Sequence, residues 1–183
     1  MAEPSLEIRT ARRDEVPVVQ RLAHVIWHAH YPGIITGEQI DYMLARGYAL
    51  EVLEGFLGRG DRGLELGAID GEPVAFAAWY VTDDPAEAKL DKLYVLPARQ
   101  RLGLGGKLLG RVAELVRAAR ATKLILNVNK QNIQAIRAYE RHGFAIRAAV
   151  VVDICNGFVM DDYVMAKNLE PRERGSGHRG ADD

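Results

Sequence analysis

The spacing of apolar residues predicts helices near the start of the chain and a sheet after them. A strand-like segment at residues 6–10 precedes a stretch in which Asp14 can cap a helix and apolar side chains recur at helical intervals. A second stretch of helical periodicity spans roughly residues 37–57 and ends in glycine-rich turns. We therefore expect two helices ahead of the main sheet.

Strand-like runs follow these helices. Residues 64–69 and 73–81 flank Asp70-Gly71, a dipeptide that favours tight hairpin turns. Residues 88–96 form a third run of the same kind, although their alternation is less regular. An antiparallel hairpin extended by a third strand is the structure that this pattern predicts.

The second half of the chain alternates between helices and strands. A long amphipathic helix follows the third strand, and further strands are predicted at residues 123–128, 144–153 and 159–168. Between the first two of these strands, Asn132 can cap a helix that Gly143 ends. The mixture of strands and helices in this order predicts an α/β fold.

Length and composition are those of one globular domain. The chain has 183 residues, of which 48% are hydrophobic and 27% charged, and we predict a single domain over residues 1–170. Residues 171–183 are polar and lack apolar periodicity, so we expect a disordered tail. The formal net charge of -1 provides no basic excess for a nucleic-acid partner.

Two further expectations concern location and metals. The chain starts without a signal-like segment, and its longest apolar run, residues 74–81, is too short to span a bilayer, so we expect a cytoplasmic protein without a membrane partner. His24 and His28 lie one helical turn apart, but no cysteine or acidic cluster completes a metal site, so no metal is predicted.

The lone Cys155 lies in a strand-like stretch and is expected to be a small buried hydrophobe.

A glycine-rich loop stands between the third strand and the long helix. Its residues are Gln100, Arg101, Leu102, Gly103, Leu104, Gly105 and Gly106. Glycines allow a ligand to approach the backbone closely, and the unpaired N–H groups at a helix N-terminus suit a pyrophosphate. The P-loop and dinucleotide motifs are both excluded, since each requires residues that positions 101 and 108 do not provide. Taken alone, the loop is equally compatible with a plain helix entry.

A second motif lies downstream of this loop. It consists of Asn132, Ala135, Ile136, Tyr139, Glu140, Gly143 and Phe144, in the spacing N-x-x-A-I-x-x-Y-E-x-x-G-F. Together with Q-R-L-G-L-G at residues 100–105, it resembles the two coenzyme-binding motifs of the GNAT acetyltransferase superfamily. The resemblance extends over nearly the whole domain, from about residue 6 to residue 169.

This resemblance implies a fold and a co-substrate. The fold is a mixed, mostly antiparallel sheet of six to seven strands with helices on both faces, in which the fourth and fifth strands splay apart. The co-substrate is acetyl-coenzyme A (acetyl-CoA), held in the slot between these strands. The slot should lie between Leu93-Tyr94-Val95 and Asn127-Val128, with the glycine loop, Asn132 and Tyr139 as further coenzyme contacts.

Acetyl transfer to an amine requires a neutral nitrogen, a donor to the thioester oxyanion and a proton for the thiolate. A bulge near Val95 would free a backbone N–H as the donor. By resemblance, Tyr139 lies beside the sulfur; a phenol ionises near about 10 and a thiol near about 8.5. Asn127, at a position where some relatives carry glutamate, cannot take a proton. The candidate base is therefore Asp91, four residues before Val95, a position where similar enzymes often carry an acidic or histidine side chain. Core packing for Tyr139, and pairing of Asp91 with Lys89 or Lys92, are the alternatives.

Three functions remain open for a protein with this resemblance. The first is acetylation of a small amine, for which Tyr31 and Asn127 would contact the acceptor. The segment 157–165 resembles the end of spermidine-type acetyltransferases, and its Asp161-Asp162 pair could attract a polyamine. The second is acetylation of a protein N-terminus or lysine. The third is a coenzyme-binding regulatory module without catalysis. A homodimer, with a second copy of the chain as the partner, is also left open.

Overall fold

A computed structural model describes residues 5–169, which form a seven-stranded sheet flanked by helices. The strands are β1 Leu6–Thr10, β2 Arg62–Ile69, β3 Glu72–Val81, β4 Glu87–Val95, β5 Lys123–Asn129, β6 Ala145–Asp153 and β7 Val159–Asn168. The helices are α1 Val16–His30, α2 Gly37–Gly47, α3 Leu50–Glu54, α4 Leu104–Ala118 and α5 Ile133–Arg141. The predicted tail lies outside the described residues, so the domain boundary stays a prediction.

The strands are arranged in the order β1-β2-β3-β4-β5-β7-β6. The β4–β5 pair is parallel, and the other five pairs are antiparallel. The predicted fold class, a mixed and mostly antiparallel sheet with helices on both faces, is confirmed. Pairing between β4 and β5 stops at Leu90 and Leu126, although both strands continue, so the predicted splay is confirmed as well.

Two hydrophobic cores cover the two faces of the sheet. On one face, the apolar stripe of α4 and residues of α5 pack against every second residue of the central strands. On the other face, α1, α2 and α3 pack over β2, β3 and the end of β4. We call the side of the sheet covered by α4 and α5 the α4 face, and the side covered by α1, α2 and α3 the α1 face. Among the described residues, the core of the α1 face includes none from β5, β6 or β7, so on that face this half of the sheet is free to border a site.

Local structure follows the sequence at several turns. Asp70 and Gly71 adopt φ of 51° and 83° in the β2–β3 hairpin, as a primed turn requires. The Asn132 side chain caps α5 by accepting a hydrogen bond from the backbone N–H of Ala135 at 3.3 Å. Gly143 follows α5 with a φ of 84°.

Three local expectations are wrong. Asp14 does not cap α1; the acid that acts at this entry is Glu15, which accepts from the Arg12 backbone N–H at 2.9 Å. The stretch at residues 37–57 is two helices rather than one, because the chain breaks at Tyr48 and Ala49. Cys155 is exposed in the β6–β7 turn with a φ of 71°, so it is no buried hydrophobe.

We expect Glu15 to be a major electrostatic contributor to stability. Its two carboxylate oxygens each accept from Arg9 at 2.7 Å, and the Arg9 hydrogen bond is the main cause that lowers the pKa of Glu15 from 4.5 to about 2. Glu15→Gln should therefore lower the free energy of unfolding by about 3 kcal/mol at pH 7. Because the folded-state pKa is depressed, this stabilisation is complete above about pH 4.5 and disappears as the pH falls towards 2.

Chemical denaturation at several pH values checks this expectation. Glu7→Gln is the matched control, since Glu7 pairs with the same Arg9 but is 55% exposed, and it should cost less than about 1 kcal/mol. A difference between wild type and Glu15→Gln that stays constant from pH 7 to pH 2 would contradict the ion-pair explanation.

Candidate active site

The site begins where β4 leaves β5. In the β3–β4 pairing, Ala78 opposes Lys92 and Trp79 opposes Leu90, so Asp91 has no partner and forms a β-bulge. The bulge was expected near Val95 and lies four residues earlier. It reverses the alternation of side chains along β4: Leu90 faces α4 before the bulge, and Leu93 faces α4 after it.

The backbone of Val95 is turned into the slot even though the bulge lies elsewhere. Leu96 donates its N–H to Val74 O at 2.9 Å, so this residue points its polar groups at β3. Since neighbouring residues in an antiparallel strand alternate, the N–H and C=O of Val95 point the opposite way, towards β5. Gln100 Nε2 donates to Val95 O at 3.3 Å, which agrees with this orientation. The Val95 N–H therefore faces the open side of β4.

The glycine loop forms a turn that presents uncapped amides. Arg101 and Gly103 have φ of 65° and 77°, and Gly103 is the N-cap of α4. Because glycine has no side chain, nothing caps the first turn, and the N–H groups of residues 104–106 lack intrahelical partners. Such a helix end carries partial positive charge and suits an anionic group.

The glycines differ in what they require. A Cβ at Gly106 would come within 2.7 Å of His142 Nε2, so a side chain there would displace the exposed His142 ring at the end of α5. A Cβ at Gly105 would meet only Val95 Cγ2, at an ordinary 3.9 Å. The protein itself therefore tolerates a side chain at position 105, and a requirement for glycine there would come from a ligand.

Helix α5 brings Tyr139 to the same slot. The Tyr139 ring packs edge-on against Phe144 with ring centroids 5.7 Å apart. Burial raises the pKa of Tyr139 to about 12, so the phenol keeps its proton at neutral pH. Asn132, at the start of the same helix, also lines the slot, where its side-chain oxygen is engaged by the helix cap.

Aromatic side chains close the opposite end, on the α1 face. This aromatic wall consists of Trp27, Tyr31, Tyr48, Phe76 and Tyr94. The hydroxyl groups of Tyr31 and Tyr94 lie 3.2 Å apart. Burial raises the pKa of both phenols well above 10, so both are neutral hydrogen-bonding groups. Tyr94 thus contributes its side chain to this wall, whereas Leu93 and Val95 turn theirs to the α4 face.

The acidic residues at the site differ in their surroundings. Asp91 is a quarter exposed, and its carboxylate accepts from the Lys92 ammonium at 2.5 Å. Asp161 and Asp162 do not act as a pair, because successive residues of β7 point to opposite faces of the sheet. Asp161 is exposed and pairs with Lys130, while Asp162 is only 5% exposed and lines the cavity.

All these elements border one cavity of about 960 Å³. The predicted residues that line it are Tyr31, Asp91, Leu93, Tyr94, Val95, Gln100, Arg101, Gly103, Leu104, Gly105, Gly106, Asn127, Asn132 and Tyr139. Leu102 is the exception: its side chain is exposed and outside the lining. The slot and the aromatic wall are thus two ends of a continuous space.

The sequence analysis missed two groups of lining residues. Arg99, Arg141 and His142 place basic side chains around the glycine loop, where a pyrophosphate would need countercharges. Tyr42 and Arg46 of α2 reach the cavity from the other end. The basic residues stand within or beside the two motifs and could have been included; no sequence signal connects α2 with the β6–β7 turn.

Residues 5–169 also bear on metal binding and on membrane insertion. Within that range, no three histidine, cysteine or acidic side chains come together as a metal site. None of the helices in that range is long and apolar enough to cross a bilayer.

Comparisons with known proteins give the family. The sequence pattern of the acetyltransferase (GNAT) family matches residues 27–144, more than half of the chain, so the protein belongs to this family. An uncharacterised N-acetyltransferase of Mycobacterium tuberculosis is 30% identical over 100 residues, which are 55% of this chain and 63% of that protein. The chain thus spans less than two thirds of the length of the curated relatives it matches.

Solved structures share the fold. The PaiA N-acetyltransferase from Thermoplasma acidophilum, in complex with coenzyme A, superposes with a TM-score of 0.77 at 22% identity, covering 90% of this chain and 99% of that one. The structure of yncA from Salmonella typhimurium with its cofactor acetyl-CoA gives a TM-score of 0.64 at 22% identity, covering 97% and 98%. At this identity, the likeness concerns the fold.

Gly105 allows a test of the loop. Gly105→Val should weaken coenzyme A binding tenfold or more, about 1.4 kcal/mol, because the side chain would fill the space through which a pyrophosphate reaches the helix amides. Gly110→Val is the matched control: it lies on the same helix, it has nothing within 4 Å, and it carries the same helix-propensity cost. Calorimetric titration with coenzyme A measures both variants. Unchanged affinity in a folded Gly105→Val variant would show that the anion binds elsewhere.

Proposed function

We propose that this protein transfers the acetyl group of acetyl-CoA to the primary amine of a small molecule, by direct attack within a ternary complex. The observation that carries the proposal is the cavity that joins the β4–β5 slot, with its glycine loop, to the aromatic wall. One end suits the coenzyme and the other a small amine, so both substrates can meet between them.

The chain's residues fit coenzyme A at the first end. The uncapped amides of α4, the open space at Gly105 and the surrounding arginines match a pyrophosphate. The parted strands offer unpaired backbone groups to the amides of a pantetheine arm. When bound, acetyl-CoA supplies an activated acetyl thioester at the depth of Val95 and Tyr139.

The Val95 N–H is proposed as the donor to the thioester oxygen. It faces the slot, and the rest of β4 holds it in place, so no reorganisation is needed when negative charge develops on the oxygen. Fixed backbone donors of this kind stabilise a tetrahedral oxyanion more than they stabilise the planar ground state.

Tyr139 is proposed as the donor to the leaving thiolate. Full proton transfer from a phenol with a pKa of about 12 to a thiolate with an unperturbed pKa of roughly 8.5 is uphill in water. The same burial that raises the phenol pKa disfavours a bare thiolate, however, and so raises the pKa of the thiol as well. A hydrogen bond from Tyr139 that strengthens as the sulfur gains charge follows from this balance.

Contacts between α2 and the β6–β7 hairpin favour a small acceptor. Tyr42 Oη donates to Ile154 O at 2.6 Å, Arg46 Nη1 donates to the same oxygen at 2.8 Å, and Gln39 Nε2 donates to Val159 O at 2.9 Å. Tyr42, Arg46 and Ile154 also line the cavity, so these bonds tie its two sides together at the acceptor end. A bound peptide would need this end to be open.

The second candidate remains acetylation of a protein N-terminus or lysine, for which the α2 contacts would have to open. A di- or polyamine is the first small acceptor to test, although the support from charge is reduced to one inward acid, Asp162. Loss of catalysis, the third alternative, is disfavoured by the presence of Tyr139, half-buried, in the lining of the slot.

An amine panel tests the proposed function. We expect release of free coenzyme A with spermidine or simple primary amines, with kcat/KM exceeding that for peptides by roughly tenfold or more, about 1.4 kcal/mol in the transition state. Thiol release measured with small amines, a peptide with a free N-terminus and a lysine peptide gives the ranking. Preference for either peptide would favour the second candidate, and coenzyme binding without turnover on any amine would favour a regulatory module.

Tyr139→Phe tests the proposed proton donor. The variant keeps the ring that packs on Phe144 and should lower kcat and kcat/KM together by roughly 10²- to 10⁴-fold, with an unchanged coenzyme dissociation constant. Tyr80→Phe, which alters a phenol outside the cavity, is the control and should match the wild type. If Tyr139→Phe turns over like the wild type at saturating substrates, Tyr139 is only a packing residue.

A further inference from the structure

Asp162 occupies a defined place on the wall of the cavity. It lies on β7, in register with Asn129 of β5 on one side and Val150 of β6 on the other. Met165, three residues further along β7, belongs to the core on the α4 face, so Asp162 points to the α1 face. By the same alternation, Asn127 of β5 points to that face as well, since its neighbours Leu126 and Val128 belong to the α4 core.

The carboxylate of Asp162 is incompletely satisfied. Its Oδ1 is buried and has no hydrogen-bond partner among residues 5–169, a condition it shares there only with the Trp79 indole N–H. Buried polar atoms without partners are rare and costly, and each calls for an explanation. Because Asp162 lines the acceptor end of the cavity, a donor carried by a ligand would supply the missing bond once the carboxylate rotates towards the cavity.

The charged and titratable groups around Asp162 come from four elements. They are Tyr31 at the end of α1, Lys89 on β4, Lys130 after β5, and Asp161 on its own strand, with the Asn127 amide alongside. Burial raises the pKa of Asp162, and the Asn127 amide and then Lys89 oppose this rise. Burial is the main cause that raises the pKa of Tyr31. Tyr139 and, to a smaller extent, Asp162 add to this rise, so the Tyr31 phenol lies near both groups.

Asp91 is less suited than Asp162 to receive a proton from an ammonium group. Its carboxylate already accepts from the Lys92 ammonium, which is itself buried against the rings of Tyr48 and Phe56. A carboxylate that already holds a fixed cation has less attraction left for a second cation. Asn127 has no basic group. Asp162 is thus the inward acid of the acceptor end that, among residues 5–169, forms no ion pair, although Lys89 and Lys130 lie near enough to act on its charge.

We propose that Asp162 is the residue that binds the ammonium group of the acceptor and takes up its first proton. This inference rests on the proposed function, because it assigns a role within the same reaction. The acceptor must be a primary amine that arrives as an ammonium ion. The Asp162 carboxylate is the countercharge of this ammonium, and by accepting a proton it converts the ammonium to a nucleophilic amine.

The proton balance closes with groups already described. The ammonium gives one proton to Asp162 and becomes a neutral amine. Its lone pair forms a C–N bond with the acetyl carbon, and the C–S bond then breaks. The thiolate takes a proton from Tyr139, which regains the second proton from the nitrogen. Asp162 releases the first proton to solvent after the products leave, so one proton, one amide and free coenzyme A are formed.

Steady-state kinetics of Asp162→Asn test the inference with a pair of acceptors. One is the best alkylamine from the panel, which is protonated at pH 7; the other is its fluorinated analogue, whose lower basicity leaves it neutral. Asp162→Asn should lower kcat/KM for the basic amine by roughly a hundredfold and for the neutral analogue by much less. Asp161→Asn is the control, because it makes the same change at an exposed residue on the opposite side of β7, and it should stay close to the wild type.

A binding measurement accompanies the kinetics. Calorimetry at pH 7 on the complex with coenzyme A should show weaker binding of the basic amine by Asp162→Asn, while coenzyme affinity and thermal unfolding stay near the wild type. Asp162→Ala should give the same pattern and serves if the asparagine variant is unstable.

Three outcomes would overturn the inference. Equal loss on both amines would make Asp162 a structural residue, and no loss would remove it from the reaction. A loss that depends on amine basicity in Asp91→Asn, but not in Asp162→Asn, would assign the role to Asp91. Absence of turnover by the wild-type protein on every amine is a separate result, because it refutes the proposed function itself.

Discussion

The structure depends on one interruption in the hydrogen bonding of its sheet. Parallel pairing between β4 and β5 ends at Leu90 and Leu126, while both strands run on. Backbone groups beyond that point are left without sheet partners, and unpaired N–H and C=O groups in a protein interior are costly unless something binds them. The gap is therefore the proposed coenzyme slot, and its position determines where the proposed roles of Val95, the glycine loop and Tyr139 can be carried out.

The bulge at Asp91 determines which residues of β4 face each side of the sheet. By adding one residue, it turns Leu93 and Val95 towards α4 and Tyr94 towards α1. The coenzyme end and the acceptor end are thereby supplied by successive residues of one strand. Helices α1, α2 and α3 cover only half of the second face, so the remaining strands β5 and β7 border a cavity instead of a core.

Short-range patterns were reliable because their physical causes are local. The Asp70-Gly71 turn, the Asn132 cap and the α4 stripe each depend on residues within a few positions of one another, and all three are found where expected. The helix entries within the two motifs were predictable for the same reason, since a helix entry and its preceding loop are shaped by residues close in sequence. Expectations failed where a distant partner decides: Glu15 replaces Asp14 because Arg9 reaches it, and Tyr48 interrupts a helical stretch to join the aromatic wall.

The sequence by itself thus determined the family, the order of elements and the segments that form the slot. Tertiary structure alone decided which acids face it. Asp161 and Asp162 are neighbours in the chain, yet the pleat sends one to solvent and the other into the cavity. Asp91 was predicted from the resemblance, with pairing to Lys89 or Lys92 as the alternative, and only the structure shows that Lys92 is its partner. The physical reason is that a carboxylate's charge state depends on burial and on charges brought near by the fold, and neither is written in local spacing.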